Sequence, residues 1–287
     1  MTKNAGVTTT PPPDAPAPAD PGAVATALAD VSAMGPYFAI ETGPGRDDEI
    51  LWRPLRDLPR DTEALRARVT DFERRLGTPE SRVAASILFQ GLAARLWSPV
   101  VGVAAGHGLV PVDASDGLLW RPAATGPLPL RASPALRWAA VPGHPGPGNI
   151  GPPAAWTRRA AALVYRTVVT ETLEPLTHAV LGITKIAPAL LWGNAAAALA
   201  GILRTLPRGR PAFAASAAGL AGEVLRLGVL AGAGRLAEPG PGAYFYVRAT
   251  CCLYYRVPGG GYCDDCALIS EADRAARWTR AAAGSPS

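Results

Sequence analysis

All four cysteines of this 287-residue chain fall in one stretch near its C-terminus: Cys251, Cys252, Cys263 and Cys266. Two are adjacent, ten residues follow, and the last two are separated by Asp264 and Asp265. If these thiols act together, any fold of the chain has to bring both ends of the stretch to one place. A C-x-x-C turn lets two thiolates grip one metal ion, a pattern shared by zinc sites, thiol redox pairs and iron–sulfur proteins. A thioredoxin-type pair is disfavoured, because the motif does not open a helix after a strand in a βαβ context. Four thiolates suit a closed zinc site or a [2Fe–2S] cluster. Zinc ribbons use two C-x-x-C knuckles, which an adjacent pair cannot make, so the spacing favours iron–sulfur over zinc. A disulfide, or unrelated buried cysteines, is the third reading.

Composition decides the compartment and excludes some partners. Residues 1–23 are mostly Thr, Pro, Ala and Asp, with no apolar core of a secretory signal. The expected location is therefore cytoplasmic and reducing, where clustered thiols do metal or redox work more often than they form disulfides. The formal charge is +5, with Lys3 and Lys185 the only lysines. No Lys/Arg run with interleaved aromatics appears, so nucleic acid is not an expected partner. Mean hydropathy is +0.13 and much of the apolar content is alanine, which favours helix. Residues Ile186 to Leu203 carry no charge, yet Pro188, Gly193, Asn194 and Gly201 interrupt them. They read as a helix buried in a protein core and not as a transmembrane span; association with a membrane surface stays open.

The chain is expected to be α+β: a mainly helical body with a small antiparallel sheet, followed by a small C-terminal iron–sulfur module. Residues 1–24 read as a disordered Pro/Thr/Ala-rich tail, 25–240 as the body and 241–287 as the module. A first helix is expected from Ala25 to about Met34, and a short strand at Tyr37 to Ile40. Gly43 to Asp48 reads as a turn. Asp61 caps a helix whose face is Leu65, Val69, Phe72 and Leu76, and Gly77 ends it. Thr78 opens the next helix, apolar nearly all round from Val83 to Trp97, with Ser98-Pro99 expected to interrupt it. Leu109–Val112, Gly117–Arg121 and Leu128–Arg131 read as one small sheet, extended by Arg137 to Ala139. Pro142 to Pro153 reads as a loop. Long helices follow over 154–181, kinked near Pro175, then 188–206 and 212–230. Gly232 to Gly242 reads as a linker, Tyr244–Val247 as a strand, and Ser270 as the cap of a final helix.

The segment Arg248-x-Thr250-Cys251-Cys252-Leu253-x-Tyr255-Arg256, with Gly259-Gly260-Gly261 leading to Cys263-x-x-Cys266-x-Leu268, resembles the C-terminal [2Fe–2S] module of FhuF-like ferric iron reductases. The pattern C-C-x10-C-x2-C is matched without insertion. Leu191 to Ala195, Ala200-Gly201 and His107 to Pro111 resemble the helical body of that family more diffusely. Asp264 departs from the pattern, standing where many members carry a small residue; acids here would lower the potential of a neighbouring cluster. The resemblance implies that Cys251, Cys252, Cys263 and Cys266 ligate a [2Fe–2S] cluster and carry the redox chemistry through it, a C-x-x-C pair on one iron being the simpler arrangement. It also implies one-electron reduction of iron(III)–siderophore complexes, with a low-potential donor such as a ferredoxin or a flavin-dependent reductase.

Arg248 and Arg256 flank the adjacent pair, where they either offset the negative charge of such a cluster or form surface ion pairs. No dinucleotide fingerprint is present, so direct NAD(P)H oxidation is not expected. The histidines, His107, His144 and His178, read as helix-end or packed residues. Arg95, Arg121, Arg131, Arg137 and Asn194 are candidate contacts for an oxygen-rich chelate. Two other readings remain: a four-cysteine zinc module for protein interaction, and a [2Fe–2S] carrier or sensor without a siderophore site.

Overall fold

Two long runs with almost no charge have to hide most of their surface, and they do so against each other. The computed structural model describes residues 16–43, 51–123, 125–146 and 151–282. In chain order these form β1 (Ala17–Pro18), α1 (Pro21–Ser32), β2 (Arg53–Pro54), α2 (Thr62–Leu76), α3 (Ser81–His107), β3 (Leu109–Val112) and the single turn α4 (Ala114–Gly117). Then come β4 (Leu118–Trp120), β5 (Leu130–Ala132), β6 (Arg137–Ala140), α5 (Ala154–Tyr165), α6 (Glu174–Ile183), α7 (Pro188–Gly209) and α8 (Ala214–Val224). The β7–β8 hairpin (Gly234–Gly240, Ala243–Arg248) and α9 (Glu271–Ala282) complete the chain. Helix makes up 57% of the described residues, so the body is mainly helical, as expected.

Helices α3 and α7 form the centre, packed along each other, with α2, α1 and α8 against α3 and the β7–β8 hairpin against α7. The indole of Trp97 donates to the carbonyl of Ala195 at 3.0 Å and pins the crossing. Both helices are long and apolar enough to cross a membrane. Their most apolar windows are 78% and 67% buried inside the protein, which accounts for their composition without a bilayer. Asp61 and Gly77 cap α2 as expected, Gly77 in the left-handed region at φ 62°.

Several expectations are corrected. The tail was expected to run to residue 24; residues 1–15 lie outside the described ones, but β1 pairs with β6 and α1 starts at Pro21. The Asp20 side chain caps that helix, accepting from the Ala23 N–H at 2.8 Å, and Pro21 suits the first turn. Most of the expected turn at 43–48 and the centre of the loop at 142–153 also lie outside the described residues. The strand expected at Tyr37 to Ile40 is a turn, because Arg95 takes the carbonyls of Tyr37 and Ala39 that a ladder would use.

Pro99 does not interrupt α3. Its missing N–H and ring cost about 3 kcal/mol in a helix interior, and burial of nearly every residue from Val83 to Gly106 offsets this. Nor is there one sheet. Left-handed Asp113 (φ 54°) and α4 swing the chain between β3 and β4. The order is then β1-β6-β3 in one antiparallel sheet and β2-β4-β5 in another. The kink near Pro175 is a π-helical stretch, Arg166–Leu173, joining α5 to α6. Pro175 cannot donate to the Glu171 carbonyl, and the preceding turns widen. The expected linker is strand β7, so the boundary drawn at 240/241 falls in the turn of a hairpin.

Where α1, α3 and α7 end together, Asp30 accepts from Arg210 Nε at 2.6 Å and lies 3.0 Å from His107 Nε2. Burial pushes the Asp30 carboxyl up, but the hydrogen bonds from Arg210 and His107 outweigh it and hold the carboxyl below its ordinary 3.8. A folded value below the unfolded one stabilises the protein fully above the unfolded value, and the contribution is lost as pH falls through the folded one. The melting temperature of the natural chain should therefore exceed that of Asp30→Asn at neutral pH. The gap should close between about pH 5 and pH 2, as thermal melts across that range will show.

Candidate metal centre

Strand β8 delivers the chain to the cysteines, and its last residue ties them to the body. The Arg248 guanidinium is 1% exposed. Its Nε donates to Asp265 at 2.6 Å and its Nη1 to the Asn194 side chain at 2.8 Å. The Asn194 amide donates to the Ser86 carbonyl and hydroxyl, and the Ser86 hydroxyl donates to the Cys252 carbonyl at 2.6 Å. This buried chain runs from Asp265, beside Cys266, through α7 and α3 to Cys252. Close approach of α7 makes it short: a Cβ on Gly193 would sit 2.2 Å from the Thr250 hydroxyl.

After Cys252 the backbone turns through Leu253, a non-glycine residue at φ 68°. Such a conformation costs roughly 1–2 kcal/mol. It lets the Leu253 N–H donate to Cys251 Sγ at 3.3 Å and the Tyr254 N–H to Cys252. The second pair sits on a turn closed by the Cys266 N–H to the Cys263 carbonyl at 3.1 Å, and Leu268 N–H donates to Cys266 Sγ at 3.4 Å. Helix α9 grips this turn by its carbonyls: Arg274 donates to Cys266 at 2.9 Å, Trp278 to Asp264 at 3.1 Å, and Arg277 to Tyr262. Ser270 caps α9 as expected, accepting from the Asp273 N–H.

The fold thus brings the four thiols together. Cys252 and Cys266 are buried, Cys251 and Cys263 half-buried, and none is in a disulfide. The sulfurs of Cys252 and Cys263 lie 3.8 Å apart. For a metal–sulfur bond near 2.3 Å, tetrahedral geometry puts two sulfur ligands about 3.8 Å apart. Among the described residues no three His, Cys, Asp or Glu side chains converge on one point. Four cysteine thiols are the number that a closed zinc site or a two-iron cluster takes.

Hydrogen bonding from Cys263 and the charge of Arg248 lower the Cys252 thiol to about 6, although burial opposes them. Its partner Cys263 is raised by that same hydrogen bond and by burial, so the pair shares a proton that metal binding displaces. Burial, outweighing the Leu253 N–H, raises Cys251 to about 11. Burial opposes the Arg248 charge too, but Asp265, Cys252 and Cys263 outweigh it and hold the guanidinium charged. Of the two flanking arginines, Arg248 therefore lies against the sulfurs, while Arg256 pairs with Glu80 at the surface, 2.8 Å away. The two acids in the turn each face a cation, Asp265 by Arg248 and Asp264 by Arg204 at 3.4 Å, so their effect on a cluster is offset.

A groove of about 570 Å³ opens on Cys263, lined by Gln90, Arg204, Tyr254, Tyr262 and Arg277 among others. A hollow of about 370 Å³ adjoins it, sharing Gln90, Tyr254 and Cys263 and reaching Cys252. The candidate chelate contacts expected from sequence line neither. Arg95 is buried, donating to the carbonyls of Leu128, Tyr37 and Ala39, and Asn194 is the hub described above. Arg121 and Arg131 lie over the Trp52 ring, and Arg137 pairs with Asp113. His107 and His144 are structural, the latter bonded to the Ala105 carbonyl, and His178 is exposed on α6. Sequence reasoning passed over Ser86 and Arg274; the single hydroxyl within the apolar run from Val83 to Trp97 was the available signal for the first.

Asn194→Ala should cut the tie between body and cysteine turn and leave the Arg248 charge short of a partner. A loss of about 1–3 kcal/mol is expected, read as a lower melting temperature and faster bleaching of visible absorbance on standing. An unchanged melt and colour would show that the tie is dispensable.

The comparison with known families converges on this segment. Residues 248–268 match the family described as the FhuF 2Fe-2S C-terminal domain. No curated protein matches the chain. The match begins at the buried arginine and ends at the leucine whose N–H meets Cys266. The matched segment, residues 248–268, is thus similar to the FhuF 2Fe-2S C-terminal domain, which implies a [2Fe–2S] cluster that the four cysteines fit.

Proposed function

We propose that the protein is a one-electron reductase of iron(III)–siderophore complexes of the hydroxamate type, releasing Fe(II), with Cys251, Cys252, Cys263 and Cys266 as cluster ligands. The observation that carries this reading is the groove opening on Cys263 beside the ligand set. Hard oxygen donors hold Fe(III) far more tightly than Fe(II), so one added electron frees the metal. A [2Fe–2S] cluster supplies electrons one at a time.

The chain's own residues have a positioning task. Arg204 and Arg277 offer guanidinium donors to chelate oxygens, and Gln90 a neutral amide. Tyr254 and Tyr262, both well exposed, present ring faces to the organic part of the chelate. The buried relay through Asn194 holds the sulfurs in place while the chelate docks. No acid, base or nucleophile is required of the protein. The electron comes from a low-potential ferredoxin or flavin-dependent reductase, in the cytoplasm.

Anaerobically purified protein should carry about two irons and two sulfides per chain; one zinc and no colour would end the cluster reading. Reduced protein mixed with a ferric hydroxamate in a stopped-flow instrument should be reoxidised faster than by a ferric complex that does not bind. Gly201 lines the groove, and a Cβ there meets nothing within 4 Å. Gly201→Trp should fill the groove, keep the cluster spectrum and slow reoxidation by the chelate about tenfold. An unchanged rate would place the chelate elsewhere.

A further inference from the structure

Four cysteines can be divided between two irons in three ways, and the geometry separates them. The adjacent residues Cys251 and Cys252 point to different partners. Cys252 Sγ is 3.8 Å from Cys263 Sγ, at the edge length of one tetrahedral metal, which leaves Cys251 and Cys266 as the second pair. The surroundings of the first pair set it apart. The Arg248 guanidinium acts on Cys252 and Cys263. The groove and its neighbouring hollow touch Cys252 and Cys263 and neither of the other two.

We infer that Cys252 and Cys263 hold one iron and Cys251 and Cys266 the other, and that the Cys252–Cys263 iron is the one from which the electron leaves for the chelate. Each iron then takes one ligand from either end of the Leu253–Tyr262 loop, so the cluster closes that loop twice. This differs from the simpler arrangement with both C-x-x-C sulfurs on one iron. The exit assignment rests on the proposed reductase function; the pairing needs only the cluster. In the transfer itself, chelated Fe(III) would take up one electron and become Fe(II), the one-electron exchange that a [2Fe–2S] cluster held by the four cysteines would supply. The cysteine–iron bonds are unchanged, no proton moves, and the low-potential donor restores the electron.

The test is proton NMR of the full chain reduced with dithionite, with β-methylene resonances assigned to individual cysteines. One-electron reduction leaves one ferric and one ferrous iron, whose ligand protons shift oppositely with temperature. Cys252 and Cys263 should share one temperature dependence and Cys251 and Cys266 the other; any other division overturns the pairing. Adding a gallium(III) hydroxamate, which binds without accepting an electron, should then perturb the Cys252 and Cys263 signals more than the other two. Equal perturbation, or a larger one at Cys251 and Cys266, overturns the exit assignment. No perturbation by the chelate, with the pairing intact, overturns the reductase reading and the exit assignment that rests on it. Absence of hyperfine-shifted cysteine signals removes the cluster itself.

Discussion

A guanidinium shut off from water needs a partner on each side, and the architecture of this protein follows from how Arg248 finds them. An unpaired charge at that depth would cost about 3–5 kcal/mol. Asp265 neutralises it from the cysteine turn, and Asn194 accepts from it out of the centre of α7. Asn194 in turn holds Ser86 on α3, which holds the Cys252 carbonyl. One buried side chain thereby links the two core helices to both halves of the ligand set. The C-terminal segment is for that reason not an appendage on a linker.

The same arrangement explains why the two central helices are so apolar and yet carry Ser86 and Asn194. Alanine and glycine on α7 let β8 and the cysteine segment come close, and the polar pair gives the arginine something to bind once they have. The relay adds local charge that a metal-free set of thiols would otherwise lack. Cys252 is pulled toward its thiolate while Cys251 is pushed away from it, and the groove lies on the side of the first.

Much of the site was legible in the chain because it is local. Ligand identity depends on spacing over sixteen residues, and capping by Asp61, Gly77 and Ser270 depends on three or four. Pro99 misled because helix propensity is a local cost and burial on all faces is not. The linker at Gly232–Gly242 misled because glycine and proline content says nothing of a partner strand. The arginines chosen as chelate contacts were judged by charge alone, and charge does not tell a buried carbonyl clamp such as Arg95 from a groove residue such as Arg204.

The sequence by itself determined that four thiols lie within reach of one another, that they suit a [2Fe–2S] cluster, and that a helical body precedes them. Those facts depend on covalent neighbours and short-range periodicity. Only the tertiary structure decided that Cys252 lies against Cys263 across the loop, that Arg248 and not Arg256 lies against them, and that a groove opens on Cys263. Each of these needs α3 and α7, far away in the chain, to meet the cysteine segment at one place. Burial of apolar faces sets that meeting, and no motif encodes it.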